Sequence, residues 1–317
     1  MRCLLAVSAL LLAIPAHAVD TEWVTVGDPG NDPDDTGYGA VANVYRISKY
    51  EVTNAQYTEF LNAVAATDTY ELYNTNMGLG YGGISRRGSS ASYTYRTFIG
   101  REDMPVNWVS FYDALRFANW LHNGQPEGVQ DSTTTEDGAY DMSLAGAVVR
   151  KTGATIFLTS EDEWYKAAYF NGTSYFEYPT GSDTETACAP PGSTPNTANC
   201  GFPPVVNDLT DVGSYTGSAS HYGTFDQGGN VFEWNEAIIG SNRGLRGWSF
   251  LHNFLPFYIA ASYRYFYYPS FEYSDLGFRV ASIPEDECGD GLDNDGDGFT
   301  DYPDDPGCVG VDDPSER

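Results

Sequence analysis

Asp226-Gln-Gly-Gly-Asn-Val-Phe-Glu-Trp234, Arg246-Gly-Trp-Ser-Phe250 and Leu276-Gly-Phe-Arg-Val280 are the three blocks that decide how this chain folds. The first block places two carboxylates, Asp226 and Glu233, on either side of a Gly-Gly turn. Calcium binds six to eight hard oxygens, and a glycine turn allows backbone carbonyls to point toward one ion. The block therefore predicts a calcium loop, with a solvated acidic turn as the alternative.

Three earlier blocks precede these along the chain. They are Tyr50-Glu-Val-Thr-Asn-Ala-Gln-Tyr57, Met104-Pro-Val-Asn-Trp-Val-Ser-Phe-Tyr-Asp-Ala114 and Leu158-Thr-Ser-Glu-Asp-Glu-Trp164. In this order the six blocks resemble the formylglycine-generating enzyme, or sulfatase-modifying factor, family over nearly all of the chain up to about Ser282. The resemblance implies an α+β, formylglycine-generating-enzyme-like (C-type-lectin-like) fold with few helices, short strands and long loops.

The resemblance also implies two calcium sites. The first would use the side chains of Asp226 and Glu233 and the carbonyls of Gly229 and Val231. The second would use Asn199, the carbonyl of Cys200 and Asp208. Each of these groups supplies the oxygen ligand that calcium prefers. The alternative for both sites is a solvated acidic turn.

Active members of the family bind copper through two cysteines that follow a block like Arg246 to Phe250. Here the corresponding segment is Phe250-Leu-His-Asn-Phe-Leu-Pro-Phe-Tyr258, which contains no cysteine. Copper(I) requires soft thiolate ligands, so we expect no copper cofactor and no oxidation of a sulfatase cysteine to formylglycine. Trp248 also replaces the second glycine of the family block. The alternative is a family oxidoreductase that acts on a sulfatase cysteine through another arrangement.

Aromatic residues crowd the segment between the missing cysteine site and Gly277. They are Tyr258, Tyr263, Tyr265, Phe266, Tyr267, Tyr268, Phe271 and Tyr273. The run from Tyr263 to Tyr268 is too continuous for strand alternation to bury all of it. Because tyrosine is enriched in recognition surfaces, we predict that an extracellular peptide, glycan or protein binds here. The predicted contacts are Ser249, His252, Asn253, Tyr263, Tyr265 and Tyr267.

The N-terminus has the pattern of a signal peptide. A basic start at Met1-Arg2 precedes an apolar run from Leu4 to Pro15 and the small-residue site Ala16-His-Ala18. We therefore expect a signal peptide over residues 1–18, cleavage near Ala18, and a secreted or periplasmic protein. No later stretch reaches the roughly 20 apolar residues that span a bilayer, so no transmembrane segment is expected.

Four cysteines remain in the mature chain as two local pairs, Cys188 with Cys200 and Cys288 with Cys308. In an exported protein this number favours two disulfides. A metal-binding or redox thiol pair is the alternative. The formal net charge of −28 argues against nucleic acid and anionic membranes as partners and favours cations.

The composition changes at Ser282-Ile-Pro284, which predicts a domain over residues 19–283 and an acidic tail over 284–317. The tail has the ligand spacing of a calcium loop closed by Cys288 and Cys308. Its predicted ligands are Asp293, Asp295, Asp297, the carbonyl of Phe299, Asp301 and Asp304. A disordered acidic tail is the alternative.

Three helix starts can be identified from side chains that cap a helix. Thr53 with Gln56 and Ser160 with Glu163 have the spacing of capping boxes, and Ser110 can cap a third helix. Short strands are predicted in segments such as 41–47 and 155–158, and long loops at 74–97, 124–139 and 173–206. Trp108, Trp120, Trp164 and Trp234 are predicted core residues. Arg279 is predicted to form an internal charge-assisted hydrogen bond.

Overall fold

The structure is a computed structural model that describes residues 19–144, 148–201, 206–251 and 258–284. The predicted signal peptide, His252, Asn253 and the acidic tail with its cysteine pair lie outside these residues. No helix in the described ranges has the length and apolar character needed to cross a membrane.

Three α-helices begin where the capping residues predict. They are α1 (Asn54–Val64), α2 (Phe111–His122) and α3 (Glu161–Tyr169). At each start the N-cap side chain accepts a hydrogen bond from the third helical residue, whose own side chain accepts one from the N-cap backbone. These bonds satisfy two of the backbone donors that a helix start leaves free. The sequence therefore determines all three helix starts locally.

Twelve short strands are present in the described residues. In chain order they are β1 (Trp23–Val26), β2 (Tyr45–Ser48), β3 (Ile84–Arg87), β4 (Thr94–Thr97), β5 (Ile156–Leu158), β6 (Ala187–Cys188), β7 (Thr197–Ala198), β8 (Phe232–Ile239), β9 (Asn242–Arg246), β10 (Tyr265–Tyr267), β11 (Leu276–Gly277) and β12 (Val280–Ser282). One antiparallel sheet has the order β1-β2-β12-β5. A second has the order β10-β9-β8-β11, in which β11 runs parallel to β8. The mixture of three helices and short strands is the expected α+β class.

The segment 74–97, which the sequence predicted as a loop, contains regular structure. A short 3-10 helix covers Thr75–Gly78, and β3 pairs with β4 as an antiparallel ladder from Ile84↔Thr97 to Arg87↔Thr94. Each of these four-residue strands buries only one side chain, Ile84 or Tyr95. One buried residue per strand is too few to produce a visible alternation, so the prediction was wrong here.

The largest core cluster mixes aliphatic and aromatic side chains, and a group of its rings lies where α1 and α2 meet the chain between β11 and β12. Tyr57 and Phe60 of α1 pack against Phe117 of α2, and Phe117 meets Phe278 edge to face at 5.4 Å. Such pairs add to the free energy gained from burying the rings. Trp120, Trp164 and Trp234 are fully buried as predicted, whereas Trp108 is half-buried at the edge of the core.

The expected disulfide between Cys188 and Cys200 is present, with the two Cα atoms 5.0 Å apart. It connects β6 with the residues that follow β7 and closes part of the long loop predicted at 173–206. These two strands pair with only two residues each. The bridge therefore holds a segment that has little regular hydrogen bonding of its own.

Candidate functional site

A buried ion pair lies at the junction of the two sheets. Arg279 follows β11, and the parallel pairing of Gly277 with Glu233 brings its side chain to the Glu233 carboxylate. The guanidinium donates to both carboxylate oxygens, from Nε at 2.6 Å and from Nη2 at 2.8 Å. Trp164 Nε1 donates a third bond to Glu233 at 2.7 Å. The predicted internal hydrogen bond of Arg279 is thus confirmed, with Glu233 as its partner.

Two further buried carboxylates accompany this pair. Glu51, just before α1, is 1% exposed, and neither of its oxygens has a hydrogen-bond partner among the described residues. Burial raises the pKa of Glu51 well above its usual range, and the nearby charges of Asp226 and Glu233 raise it further. Asp226 accepts one bond, from the Gly213 backbone at 2.6 Å. Burial raises the pKa of Asp226 to about 6.

The charges of this cluster do not balance when its carboxylates are ionised. Three carboxylates, Glu51, Asp226 and Glu233, interact electrostatically with the guanidinium of Arg279, and Glu233 contacts it directly. The excess of two negative charges equals the charge of one divalent cation. A buried charge that is neither paired nor neutralised is strongly unfavourable. The cluster therefore has the charge and the unpaired oxygens that suit a divalent cation, and its donor set is made of the hard oxygens that calcium prefers.

The predicted ligands of the first calcium loop are not arranged around a common metal position. Both oxygens of Glu233 are already hydrogen-bonded to Arg279 and Trp164. Across the described ranges, no three His, Cys, Asp or Glu side chains converge closely enough to hold a metal ion. A cation bound by Asp226, Glu233 and the carbonyls of Gly229 and Val231 would thus require Arg279 to leave Glu233.

The second predicted calcium site lies directly beside the first. Gly229 adopts a left-handed conformation with φ of 92°, and a Cβ there would approach the carbonyl oxygen of Asn199 to 2.4 Å. The Asn230 backbone donates to that same carbonyl at 2.9 Å. Glycine is required at position 229 because the chain passes so close to Asn199. The structure therefore places residues of both predicted sites side by side.

Only part of the second ligand set is available to a cation. Asn199 is buried, and its Oδ1 has no hydrogen-bond partner among the described residues. The Asp208 carboxylate, by contrast, accepts two bonds from the Arg101 guanidinium, both at 2.8 Å. Arg101 neutralises the charge that was expected to bind calcium. The described geometry thus offers the oxygen of Asn199 but not a free Asp208 carboxylate.

The predicted aromatic surface forms a continuous row of rings. Trp248 stacks on Tyr258 with centroids 3.9 Å apart, and Tyr258 meets Tyr263 edge to face at 4.8 Å. The row continues through Tyr265 and Tyr267 with spacings of 6.3 and 5.1 Å. Tyr267 then stacks on Tyr273 at 5.9 Å. We call these six residues the aromatic row: Trp248, Tyr258, Tyr263, Tyr265, Tyr267 and Tyr273.

The exposure of this region agrees with the expectation that the aromatic run is not wholly buried. Tyr263, Tyr265 and Tyr267 are half-buried. The neighbouring rings that are exposed are those of Phe266, Tyr268, Phe271 and Tyr273. A contiguous exposed apolar surface of this kind is typical of an interaction site.

Among the polar residues predicted to contact a ligand on this surface, Ser249 does not lie on it. Ser249 is fully buried, and its hydroxyl donates to Asp275 Oδ2 at 2.8 Å. It therefore lies inside the domain and not on the surface, because β9 ends at Arg246 and the chain then turns inward. His252 and Asn253 lie outside the described residues, so their predicted contacts stay predictions.

Trp248 stands in the row with an unusual backbone. Its φ is 64°, in the left-handed region that costs a bulky residue about 1–2 kcal/mol. Its ring packs between Tyr258 and Phe232, whose centroid lies 5.1 Å away. The family block has glycine at this position, and glycine adopts a left-handed backbone conformation without strain. In this chain the strain is offset by the burial and stacking of a large ring.

Sequence reasoning missed Glu51 as a candidate functional residue. It treated Tyr50 to Tyr57 only as the entry to a helix. The one signal was an acidic residue placed next to Val52 and directly before a capping box. A single sequence does not reveal that this carboxylate is buried beside Asp226 and Glu233, since those residues lie far away along the chain.

Comparisons with known proteins agree on the type of domain. Residues 31–283 match a family model described as the sulfatase-modifying factor enzyme 1-like domain. No curated protein matches the chain in sequence. Treponema denticola variable protein 1 has a similar structure, with a TM-score of 0.51, 18% identity, and coverage of 84% of this chain and 96% of that one. CarF also has a TM-score of 0.51, with 22% identity and coverage of 84% and 99%.

Proposed function

The chain belongs to the sulfatase-modifying factor enzyme 1-like family, and within that family we propose that it is an exported, non-catalytic, calcium-stabilised binding module. It has the α+β, C-type-lectin-like fold of that family, as the sequence predicted. A shared fold does not determine the activity, which has to be argued from the site. Two features of the site support the proposal, the aromatic row and the buried carboxylate cluster.

The aromatic row is the observation that carries the binding function. It starts at Trp248, next to the segment in which the family has its cysteines, and extends to the exposed Tyr273. Tyrosine and tryptophan provide large contact areas with few rotatable bonds, so that little conformational entropy is lost on binding. The ligand would be an extracellular peptide, glycan or protein that lies along the exposed edge of the row.

The excess charge of the buried cluster supports the calcium part of the proposal. In this proposal a calcium ion lies between Asp226 and Glu233, and Arg279 moves from Glu233 to the unpartnered Glu51. This exchange would pair every charge of the cluster. The ion itself would contribute charge neutralisation and rigidity, as structural calcium does. It would take no part in a reaction.

Thermal unfolding tests the calcium part. We expect excess EDTA to lower the Tm and calcium to restore it, since a ligand of the folded state stabilises by about 2.7 kcal/mol at 100 times its Kd. Magnesium should restore less because it requires a smaller octahedral site. An equal Tm in EDTA and in calcium would contradict the proposed ion.

A variant of Glu51 tests the exchange of partners. Glu51→Gln removes a buried unpaired acid, so at pH 8 it should raise the Tm measured in EDTA. It should also weaken the response to calcium, because Arg279 then gains no carboxylate when it leaves Glu233. Asp35→Asn is the matched control, with the same change of charge at an exposed position. A full calcium response in Glu51→Gln would exclude the exchange.

The binding part can be tested with arrays of glycans and of peptides from secreted proteins, including sulfatases. Tyr265→Ala and Tyr267→Ala should reduce the affinity for any ligand found by about tenfold or more, as truncated aromatic anchors do. Ile99→Ala removes a fully exposed apolar side chain outside the row and serves as the control. A ligand that binds both row variants normally would exclude the row as its site.

The oxidoreductase alternative has its own test. The purified protein is incubated with copper, oxygen and a peptide that contains the Cys-x-Pro-x-Arg motif. Mass spectrometry then measures conversion of the peptide cysteine to formylglycine. We expect no conversion, and a catalytic yield would overturn the non-catalytic interpretation.

A further inference from the structure

A cavity of about 370 Å³ lies at the end of the aromatic row, beyond the residues predicted to contact a ligand. Glu272 lines this cavity and lies in the chain between Phe271 and Tyr273. The rings of Phe271 and Tyr273 both contact Tyr267, with centroids 5.3 and 5.9 Å away. The end of the row and one wall of the cavity are thus formed by consecutive residues of the same segment.

The cavity lining carries more negative than positive charge. Its ionisable residues are Asp68, Glu71, Glu272 and Arg86. Arg86 donates to Asp68 at 3.0 Å, so these two charges compensate each other. Glu272 accepts a hydrogen bond from the neutral amide of Asn74, and Glu71 is exposed at the rim. Two carboxylates therefore remain to attract a cation.

Arg86 shows how this wall holds a guanidinium group. Its Cζ lies 4.7 Å from the ring centroid of Tyr73 and 4.3 Å from that of Tyr93. Aromatic faces attract cations through the ring quadrupole, and arginine is the cation most often found there. Along the chain, the carboxylate residue Glu272 is likewise flanked by two aromatic residues with exposed rings, Phe271 and Tyr273.

The pKa of Glu272 reflects the excess of negative charge in the cavity. Burial raises the pKa of Glu272, and the charges of Glu71 and Asp68 raise it further. A cation placed among these carboxylates would relieve their mutual repulsion. An organic cation is favoured over a metal ion, because the ring faces of Tyr73 and Tyr93 already hold a guanidinium group in this wall. A bulky organic cation fits both the volume and the aromatic walls.

We propose that the cavity lined by Glu71 and Glu272 takes an arginine or lysine side chain of a polypeptide whose neighbouring residues lie on the aromatic row. The inference rests on the proposed binding function and specifies its ligand as a basic, extracellular peptide segment. The formal charge of −28 favours such a partner, because it steers cations toward the protein and repels acidic polypeptides. A buried arginine anchored between aromatic residues is a common hot spot of binding.

The test uses a fluorescein-labelled nonapeptide with one central arginine between two phenylalanines. The second probe is the same peptide with citrulline, which keeps the shape of arginine and removes its charge. Anisotropy titrations are done in about 0.15 M salt, where the Debye length is about 8 Å, so that distant charges are screened. We expect the arginine peptide to bind about tenfold or more tightly than the citrulline peptide.

Variants of the cavity locate the effect. Glu272→Gln and Glu71→Gln should each weaken binding of the arginine peptide by about fivefold to tenfold and leave the citrulline peptide unchanged, as expected for the loss of a charge-assisted contact. Asp35→Asn makes the same change of net charge in another loop and should alter neither affinity. Circular dichroism and the Tm of each variant verify that it is folded.

Three outcomes overturn the proposal. The first is equal affinity of the protein for the two peptides. The second is a loss of affinity for the arginine peptide in Asp35→Asn equal to the loss in Glu272→Gln. The third is no binding of the arginine peptide at about 1 mM, a Kd that corresponds to a binding free energy of about 4 kcal/mol. If both peptides bind equally and Tyr267→Ala abolishes both, the proposed row survives while the basic anchor is excluded. If no ligand depends on the row, the proposed function falls as well.

Discussion

Asp113 is a residue at which helix capping and burial act in opposite directions. Its carboxylate accepts bonds from the backbone and hydroxyl of Ser110, at 2.8 and 2.7 Å, and the backbone bond is one half of the capping box of α2. The same carboxylate is almost fully buried. Burial raises the pKa of Asp113 to about 7, and the charge of Glu272 contributes to the rise.

This shift predicts a pH dependence of stability. A carboxylate whose pKa is higher in the folded than in the unfolded state binds protons more tightly when folded, so stability falls as pH rises from about 4 to about 7. Asp113→Asn keeps an oxygen that can accept the capping bonds and removes the titration. We expect the free energy of unfolding of this variant, relative to wild type, to increase by about 2–4 kcal/mol between pH 4.5 and pH 8.

Denaturant unfolding at a series of pH values measures that difference. Asp35→Asn, at an exposed position, serves as the control and should show no such trend. Other buried acids, including Asp226, titrate in the same range, but they contribute equally to wild type and to Asp113→Asn. A difference between the two proteins that is constant with pH would contradict the raised pKa.

At the scale of elements, the disulfide is a covalent constraint on the long loop between α3 and β8. β6 and β7 each have two residues, so their pairing contributes little. The bridge joins residues 12 positions apart, and Asn199 and Cys200, which belong to the second predicted calcium site, lie at its end. A loop of this length corresponds to about 3 kcal/mol of loop-closure entropy in the chain-entropy model.

The double variant Cys188→Ser/Cys200→Ser should therefore lower the free energy of unfolding by about 2–4 kcal/mol, because the unfolded chain regains its freedom. Urea titration of the oxidised proteins measures the change. In excess reductant, which opens the bridge by thiol–disulfide exchange, wild type should approach the stability of the variant. A variant as stable as the oxidised wild type would show that the loop is held by its other contacts.

At the scale of the whole molecule, negative charge is divided between the domain and the tail. Residues 284–317 contain thirteen Asp or Glu and one Arg, which is close to half of the formal net charge of −28. Charge of this density is normally compensated by bound cations. In this proposal, calcium has a different effect at each place. At the buried carboxylate cluster of the domain it would stabilise the fold, and at the predicted tail loop it would order the tail.

We predict that the two kinds of site can be separated in the full-length chain. Asp293→Asn/Asp297→Asn removes two of the predicted tail ligands, so the number of calcium ions bound should fall by one while the Tm of the domain is unchanged. Calorimetric titration and thermal unfolding measure the two quantities. Asp312→Asn/Asp313→Asn, with equal charge change outside the loop, should leave the ion count unaltered. A decrease in both quantities would mean that tail and domain are coupled.

Several features could be predicted from the sequence because they depend on neighbours within a few residues. The three helix starts follow from N-cap side chains that bond three positions ahead. The incomplete burial of the Tyr263 to Tyr268 run follows from its length, since a strand can turn only alternate side chains inward. The family blocks indicated the α+β fold in the same way, through local patterns repeated in order.

Other features were decided only by the tertiary structure. Arg101 binds Asp208 across 107 positions, Ser249 turns inward to Asp275, and Glu51 is buried with no hydrogen-bond partner for its carboxylate in the part of the chain that the structure describes. In each case the outcome depends on which distant groups meet in a low-dielectric interior, where the positions of the guanidinium groups determine which carboxylates are paired. The sequence specified the residues and the fold, and packing over long range specified their charges and partners.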